Sequence, residues 1–208
     1  MKVGVIGAGK MGATFAKRLG DAGHDVFITS RKIDEANQVA QSTPGKVKAV
    51  RQSELAKAVE VLIAATPYPQ QAEAIRASGD ITGKIIVDIS NPLEGDMSGL
   101  VVGHTTSAAE EIAKTLRGAR IVKAFNTIFQ NVLATAPANG QTQVFYAGDD
   151  AEAKATVRQL IESLDFEPID AGPLRNARLL EPLAMLTIYL GYVGKLGTGV
   201  APAIRKIQ

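Results

Sequence analysis

The sequence predicts an α/β protein built on a doubly wound, mostly parallel sheet, with a small α/β extension at its C-terminal end. Short runs rich in Val and Ile alternate with helical stretches along the first two thirds of the chain. Strand–helix units of this length pair in parallel through right-handed crossovers. Most of the runs are apolar throughout, which is typical of strands covered on both faces. A glycine-rich turn joins the first run to the first helical stretch.

Six strands are expected in the first part of the chain, at residues 3–6, 25–29, 47–50, 59–65, 85–89 and 121–124. One of the helices between them, over residues 70–78, is expected to have Pro69 at its first helical position and Gly79 as its stop. Another begins after Ser107, which forms a capping-box pattern with Glu110.

The last third of the chain differs in character. Residues 142–147 and 166–170 are expected to form two further strands around a helix, and a long apolar helix spans about residues 175–192, before a glycine-rich tail over 194–199. No linker, repeat or low-complexity segment marks a separate domain. We therefore expect one unit over residues 1–208, with a core over 1–136 and a C-terminal extension over 137–208.

The composition excludes several classes of function. The 208 residues include 23 basic and 21 acidic side chains, a net charge of +2, whereas binding to nucleic acid or to an anionic membrane needs a clustered excess of Lys and Arg. The lack of cysteine excludes disulfides, thiolate nucleophiles and cysteine-ligated metal centres, and two histidines are too few for a histidine-rich metal site. No stretch approaches ~18 uninterrupted apolar residues. We expect a cytoplasmic protein without a nucleic-acid, membrane or metal partner.

The segment from Gly7 to Gly12 reads Gly-Ala-Gly-Lys-Met-Gly, a G-x-G-x-x-G sequence that directly follows the first strand and opens a helix. In this context the motif predicts a dinucleotide site and a Rossmann-type fold. Gly7 provides the tight turn, Gly9 lets the backbone approach a pyrophosphate, and Gly12 allows the helix to pack closely on the strand. The helix N-terminus adds amide donors and a positive dipole.

The end of the second strand indicates which dinucleotide is bound. NAD-binding chains usually place Asp or Glu there to accept from the ribose hydroxyl, but this chain reads Thr29-Ser30-Arg31-Lys32, with no carboxylate until Asp34. A carboxylate would repel a 2′-phosphate, whereas Ser30, Arg31 and Lys32 would bind it through charge-assisted hydrogen bonds. The sequence therefore predicts NADP(H).

Other strand ends are expected to surround the nicotinamide half, since ligands of such sheets lie at the carboxyl ends of the strands. Asn91 can both donate to and accept from a carboxamide. A long loop of glycine and polar residues over 94–104 follows it, and loops of this length are usually functional or mobile. The candidate residues at these ends are Thr66, Pro67, Asn91, Pro92 and Asn126.

No side chain is predicted to act as a catalytic acid or base. His24, in a turn entering the second strand at the adenosine side, is expected to be structural, and His104 is expected to hydrogen-bond locally. The sequence shows no Ser-His-Asp set, paired-carboxylate motif or metal-ligand spacing. A dehydrogenase acting on an alcohol normally needs a proton-transfer group, whereas hydride exchange between two bound ring cofactors needs mainly stacking and distance. A second redox cofactor is therefore the favoured hydride acceptor.

Together, the glycine motif, Ser30-Arg31-Lys32 and the segment over 170–178 with Glu181 resemble the NADPH-dependent reductases of coenzyme F420, an 8-hydroxy-5-deazaflavin. The resemblance covers nearly the whole chain. Residues 122–128 also resemble bacterial relatives and the cytosolic domain of six-transmembrane metalloreductases, which pass hydride to an ordinary flavin. The resemblance implies NADPH lying over the sheet. A deazaflavin, or FMN or FAD, would pack against the nicotinamide in a cleft closed by the C-terminal extension.

The resemblance also implies roles for individual residues. The 2′-phosphate would lie against Ser30 and Arg31, and Leu196 with Gly197 would close the acceptor site. The apolar C-terminal helix suggests a homodimer. The pyrophosphate would lie against Ala8, Gly9, Lys10 and Met11.

Two other functions stay open. A reductase of small metabolites, of the pyrroline-carboxylate or hydroxy-acid kind, shares the Gly-Ala-Gly-Lys-Met-Gly start but usually needs a large helical second domain, and this chain has only 81 residues after Thr127. A non-catalytic NADPH sensor would bind the nucleotide without turnover. The segment after residue 170 also allows a structural interpretation, a turn in which Arg175 or Arg178 pairs with Glu181.

Overall fold

The computed structural model describes residues 1–43, 47–135 and 142–207. The described residues form eight strands and eight α-helices, with short 3-10 turns at Gln52–Glu54 and Leu174–Asn176. In chain order the elements are β1 (Lys2–Ile6), α1 (Lys10–Asp21), β2 (Asp25–Thr29), α2 (Ile33–Ser42), β3 (Val47–Ala49), α3 (Leu55–Ala58), β4 (Val61–Ala64), α4 (Tyr68–Arg76), β5 (Ile85–Asp88), α5 (Ala108–Thr115), β6 (Arg120–Ala124), α6 (Gln130–Thr135), β7 (Gln143–Gly148), α7 (Ala151–Ser163), β8 (Glu167–Asp170) and α8 (Ala177–Tyr192).

One sheet in the order β3-β2-β1-β4-β5-β6-β7-β8 organises the molecule. Neighbouring strands are parallel except β6 and β7, so the predicted Rossmann-type, mostly parallel sheet is confirmed. The chain moves to one side of β1 through β2 and β3, and it returns to the other side at β4. The loops that leave β1 and β4 therefore diverge and open a crevice at the carboxyl edge of the sheet.

Strand β7 is antiparallel to β6 because the chain enters it from the carboxyl edge without first crossing the sheet. The register pairs Ala124 with Tyr146 and Val122 with Gly148, so β7 begins at the edge where β6 ends. Helix α7 then provides a crossover, and β8 pairs in parallel with β7. The extension thus continues the same sheet.

Layers of helices cover both faces of the sheet. On one face, Val3 and Val5 of β1 pack with residues of α1 and α7, and on the other Ile6 packs with residues of α3, α4 and α5. All residues of β4 and β5 are buried. This two-sided burial explains why the strands are apolar throughout rather than alternating.

The elements lie close to where the sequence predicts them, with small differences at their ends. Helix α4 begins at Tyr68, so Pro69 occupies the second helical position. Helices α3 and α6 have only four and six residues, too few for an apolar period to reveal them. The predicted boundary at residues 136 and 137 lies outside the described residues. None of the helices in the described part of the chain has the length and apolar character needed to cross a bilayer.

Candidate functional site

Two cavities flank the N-terminus of α1 at the carboxyl edge of the sheet. The first, of about 520 Å³, lies over the turns that follow β1, β2 and β4, and we call it the turn cavity. The second, of about 360 Å³, lies between the ends of β5 and β6 and helix α8, and we call it the helix cavity. Cavities on either side of a helix N-terminus suit an extended ligand with an anionic centre.

The three motif glycines differ in what a side chain would meet. A Cβ on Gly7, whose φ is +108°, would lie 2.6 Å from the carbonyl oxygen of Ala65, and one on Gly12 would lie 1.8 Å from the carbonyl oxygen of Gly7. The fold itself therefore requires Gly7 and Gly12. Gly9 has a φ of −72°, and a Cβ there would point into open space. The missing side chain at Gly9 thus leaves room where the first amides of α1 can donate to an anion.

The four residues predicted to hold a pyrophosphate are divided between the two cavities. Ala8 and Gly9 line the turn cavity, and Lys10 and Met11 line the helix cavity. The first turn of α1 therefore separates them. An anion bound at this turn would join ligand groups that lie in both cavities.

Ser30 and Arg31 line the turn cavity, whereas Lys32 does not and instead precedes α2 as its N-cap. A carboxylate does approach this site, contrary to the expectation from the sequence. Glu35 also lines the cavity, and its carboxylate accepts a 2.6 Å hydrogen bond from the Ser30 hydroxyl. Because α2 begins at Ile33, Glu35 lies in the first helical turn, and helical side chains lean toward the N-terminus of their helix. Its side chain consequently reaches the end of β2.

Thr66 and Pro67, at the end of β4, also line the turn cavity. Pro67 is the N-cap of α4. The hydroxyl oxygen of Thr66 is buried without a hydrogen-bond partner in the described structure. Since an unpaired buried polar group costs stability, Thr66 is a candidate to bind a ligand at this turn.

The helix cavity has a mainly apolar lining with a few polar groups. The loop after β5 supplies Leu93 and Met97 to one wall. The opposite wall belongs to α8, so the C-terminal extension helps to form the cavity. The residues of that wall are Ala184, Thr187, Ile188 and Tyr192.

Asn91 and Asn126 line the helix cavity together. The Asn91 amide donates to the backbone carbonyl of Asn126 at 2.9 Å, and the Asn126 amide donates to Asn91 Oδ1 at 3.0 Å and to the carbonyl of Leu180 at 3.0 Å. Among the described residues that line this cavity, the buried oxygens without a partner are Asn126 Oδ1 and Thr127 Oγ1. The acceptor free for a carboxamide is therefore on Asn126, and Asn91 holds it in place. Pro92 is buried and does not line either cavity.

A residue with a left-handed backbone conformation precedes Asn126 and Thr127 and helps to present their side-chain oxygens. Phe125, which follows β6, has a φ of +59° and is fully buried. Its ring packs edge-on against Phe15 and Phe166, with centroids 5.2 and 6.3 Å away. Packing from both sides stabilises a backbone conformation that is otherwise costly for a non-glycine residue, and such strain occurs often at functional sites. Sequence patterns do not reveal it.

Neither histidine lies in the cavities. His104 is exposed, with a φ of +58°, and lines neither of them. The ring nitrogens of His24 lie 3.1 Å from the Met1 amino group and 2.8 Å from the Ser163 hydroxyl. His24 precedes β2, so it lies at the amino edge of the sheet and not at the adenosine side as expected. These contacts agree with a structural role.

Leu196 and Gly197 cap α8 in this structure. Their backbone amides donate to the carbonyls of Leu190 and Gly191, each at 3.1 Å, and the Leu196 side chain is 60% exposed. Neither residue lines the helix cavity. The tail instead packs beside α6, where Asn131 donates to the Thr198 hydroxyl at 2.6 Å. A closing role for Leu196 and Gly197 stays a prediction.

Behind the helix cavity lie three charged side chains, of which Glu181 belongs to the segment with the family resemblance and Asp88 and Lys123 are not predicted from the sequence. The Lys123 ammonium is 2.9 Å from Asp88 Oδ2 and 2.9 Å from Glu181 Oε1, and all three side chains are buried. Burial alone would lower the pKa of Lys123, but Asp88 and Glu181 hold it above its ordinary value. Burial raises the pKa of the Glu181 carboxyl although Lys123 opposes this effect. One signal was available, since Asp88 and Lys123 are opposite charges near the ends of apolar strands.

The ion pair predicted for the segment after residue 170, between Arg175 or Arg178 and Glu181, is wrong. Arg178 forms a bidentate pair with Glu110, at 2.8 and 2.6 Å, and this arginine holds the pKa of the Glu110 carboxyl below its usual value. Glu181 turns inward instead, where it accepts from the backbone amides of Ala108 and Ala109 at the start of α5. The α5 N-terminus favours a carboxylate at this place.

The chain is similar to proteins of one family. A family model described as NADP oxidoreductase, coenzyme F420-dependent, matches residues 2–92. The F420-dependent NADP reductase of Methanothermobacter marburgensis is 31% identical over 94% of this chain and 95% of its own length. The metalloreductase STEAP3 of Rattus norvegicus is 33% identical over 89% of this chain, which spans 37% of that relative. A crystal structure from Arthrobacter sp. FB24, described provisionally as an F420-dependent NADP reductase, has a TM-score of 0.90 and 31% identity and covers 99% of this chain and 100% of its own.

Proposed function

Because the chain belongs to the family of F420-dependent NADP reductases, we propose that it transfers hydride between NADP(H) and the deazaflavin coenzyme F420. The main support is the pair of cavities that meet at the N-terminus of α1. The turn cavity contains Arg31 and Ser30 beside the carboxylate of Glu35, and the helix cavity has a mainly apolar lining with unpartnered acceptors. These linings suit the phosphorylated half and the nicotinamide half of NADP(H).

The residues of the chain fit NADP(H) at three points. The first amides of α1 beside Gly9 suit the pyrophosphate, and Ser30 with Arg31 suits the 2′-phosphate. In the helix cavity, Asn126 Oδ1 is a buried acceptor without a partner, and a carboxamide N–H would satisfy it. We assign the nicotinamide end to Asn126 and the neighbouring Thr127 for this reason.

The chain contributes position and exclusion of water rather than acid–base chemistry. When bound, NADPH supplies the hydride and F420 the accepting ring. Among the described residues that line the helix cavity there is no histidine and no carboxylate, and the ionisable side chains are Lys10 and Tyr192. The apolar wall of α8 and the loop residues Leu93 and Met97 would hold two rings against each other. Two stacked rings need such a wall more than they need a proton donor.

The experiment is steady-state oxidation of NADPH by purified protein with F420, FMN, FAD, a ferric chelate, a small imine or a keto acid as the added acceptor. We expect efficient turnover with F420. Efficient turnover with FMN or FAD alone would make an ordinary flavin the acceptor, and turnover with only a small imine or keto acid would indicate a metabolite reductase. Tight NADPH binding without turnover on any acceptor would support a sensor and contradict this proposal.

We also propose that the protein is a homodimer formed through the outer face of α8 and its tail. Leu179, Leu186, Tyr189 and Val193 are each more than half exposed there, and an apolar surface of this kind marks an interface. Light scattering on the wild type is expected to give the mass of two chains. Leu186→Arg should give monomers, whereas Gln38→Arg on exposed α2 should not. A monomeric wild type would contradict the proposal.

The C-terminal extension is proposed to close the acceptor side of the site. Its support is the wall that α8 gives to the helix cavity, together with a tail whose backbone at Ile204 exchanges hydrogen bonds with the Gln143 side chain. Truncation after Tyr192 keeps α8 but removes the tail that caps it and bonds to Gln143. We expect NADPH affinity to stay unchanged and F420 turnover to fall by ~10²-fold, because an α8 without its tail would hold the ring-to-ring distance less well. Undiminished turnover would refute the closing role. We also propose a cytoplasmic location, which cell fractionation tests.

A further inference from the structure

Lys123 is bonded to three acceptors, two at the end of β5 and one on α8. Its ammonium contacts Asp88 at the end of β5, Glu181 on α8, and the carbonyl oxygen of Ser90, which accepts at 2.5 Å. An ammonium has three protons to donate, so these three acceptors satisfy it completely. The directions of the three bonds leave little freedom for the elements that supply them.

Each acceptor is itself fixed by further hydrogen bonds. Asp88 Oδ1 accepts from the amide and the hydroxyl of Ser90 and from the Gln71 side chain, each at 2.8 Å. Glu181 accepts from the amides of Ala108 and Ala109. The network therefore joins the turn after β5, strand β6, helix α8 and the start of α5.

The network lies directly behind two walls of the helix cavity. Asn91, which holds Asn126 in place, follows Ser90 in the chain, and Ala184 of the cavity wall lies one helical turn after Glu181. The Asn126 amide also donates to the carbonyl of Leu180, the residue before Glu181. The distance between the Asn91 turn and α8 is thus set by bonds on both sides of the cavity.

Stability alone does not account for such a network. Desolvation of buried ions is costly, and apolar or neutral replacements of similar volume are often as stable or more stable. What the ions provide is a fixed geometry, because a partly satisfied arrangement is strongly disfavoured in a buried environment. The geometry here is that of the ring-binding cavity.

We propose that Lys123 is a positioning residue for hydride transfer, which holds the Asn91 turn and α8 at the separation that two stacked rings require. The inference rests on the proposed function. It implies that loss of Lys123 slows the transfer step and leaves the binding of the adenosine half of NADPH unchanged. Lys123 itself touches neither ring.

A double variant, Lys123→Met with Glu181→Gln, separates positioning from folding. Lys123→Met alone would leave two buried carboxylates without a cation and is expected to be unstable. In the double variant the amide oxygen of residue 181 still accepts from α5, and Asp88 keeps its three donors. The matched control is Lys84→Met, just before β5 at the amino edge of the sheet, which removes a lysine bond to the carbonyl of Val59.

We expect the double variant to unfold at a lower temperature than the wild type, because Asp88 Oδ2 loses its cation, but to remain folded at the assay temperature. Its turnover number with F420 should be lower by about 10- to 100-fold, because small misplacements of reacting groups cost this much. Its Kd for NADPH should stay within about threefold of wild type, because the residues proposed to bind the phosphates line the turn cavity and the start of α1, away from the network. The control should turn over normally. Amide hydrogen exchange should become faster in α8 and residues 89–93 of the double variant only.

Each outcome tests either the positioning role of Lys123 or the proposed function. Wild-type turnover by the double variant, or unchanged amide exchange in α8, would overturn the positioning role of Lys123. An equal loss in the Lys84→Met control would overturn it as well, because the effect would then be general destabilisation. A wild-type protein that does not oxidise NADPH with F420 would contradict the proposed function instead, and the exchange comparison would still test the anchoring of α8.

Discussion

Replacing Gly9 with Ala is expected to weaken dinucleotide binding without harming the fold. A Cβ at this position meets no atom within 4 Å, and its φ of −72° is ordinary for alanine. Alanine is a poorer helix N-cap than glycine, which lowers the free energy of unfolding by somewhat less than the ~1 kcal/mol typical of losing a good cap. Alanine also restricts the unfolded chain more than glycine does, which raises the free energy of unfolding by about 0.4–1 kcal/mol. The free energy of unfolding should therefore change by less than about 0.5 kcal/mol.

The binding loss follows from where the new methyl group lies. It would occupy the space between the start of α1 and an approaching pyrophosphate, so at least one charge-assisted hydrogen bond to a phosphate oxygen would be lost. Such a bond contributes about 1.5–3 kcal/mol, equivalent to about 10- to 150-fold in Kd. NADPH and NADH should lose affinity equally, because both contain the pyrophosphate.

Calorimetric titration and thermal unfolding of the same samples test both parts. The contrasting variant is Gly12→Ala, whose Cβ would lie 1.8 Å from the carbonyl oxygen of Gly7. The free energy of unfolding of the Gly12→Ala variant should fall by more than the ~1–3 kcal/mol typical of overpacking, or the variant should fail to fold. Unchanged NADPH affinity in the Gly9→Ala protein, or a loss of several kcal/mol in its stability, would refute the reasoning.

Three further substitutions test the turn cavity and the helix cavity. Arg31→Ala should weaken NADPH binding about 10- to 150-fold and hardly change NADH binding, and equal losses in a titration would contradict a 2′-phosphate role. Glu35→Gln should tighten NADPH binding about 3- to 10-fold by removing an anion beside the phosphate. The control is Asp34→Asn, which removes a carboxylate outside the cavity and should leave NADPH affinity unchanged. Identical changes of affinity in the two variants would exclude a local effect of Glu35. Thr127→Val removes a buried hydroxyl without a partner, so thermal stability should hold or rise while NADPH affinity falls about 2- to 12-fold. Unchanged affinity would show that this hydroxyl does not contact the ligand.

The elements and the glycine turn could be predicted because local physics determines them. The strands are runs of Val and Ile, and the α5 cap at Ser107 accepts from the Glu110 amide as its spacing suggests. The steric demand of Gly12 acts within one strand–turn–helix unit, since its Cβ would meet the carbonyl oxygen of Gly7, and Gly7 itself has a positive φ in that turn. Such short-range patterns are visible in a single sequence.

Contacts between strand ends could not be predicted in the same way. Asp88 and Lys123 are direct neighbours in the β5–β6 register, yet they are far apart in the sequence. Whether Asn91 or Asn126 has the free acceptor depends on hydrogen bonds between the turns that follow β5 and β6. Glu35 reaches Ser30 only because α2 begins where it does.

The sequence by itself determined the layered α/β class, the dinucleotide motif and the place of the site at the carboxyl edge of the sheet, since each follows from residue types a few positions apart. The tertiary structure decided which polar groups meet there: Glu35 with Ser30, Asn126 with Asn91, and Lys123 with Asp88 and Glu181. It also decided that β7 is antiparallel and that α8 forms a wall of the helix cavity. The physical reason is that strand order and register set these distances, and both depend on packing of the whole sheet rather than on any local stretch of chain.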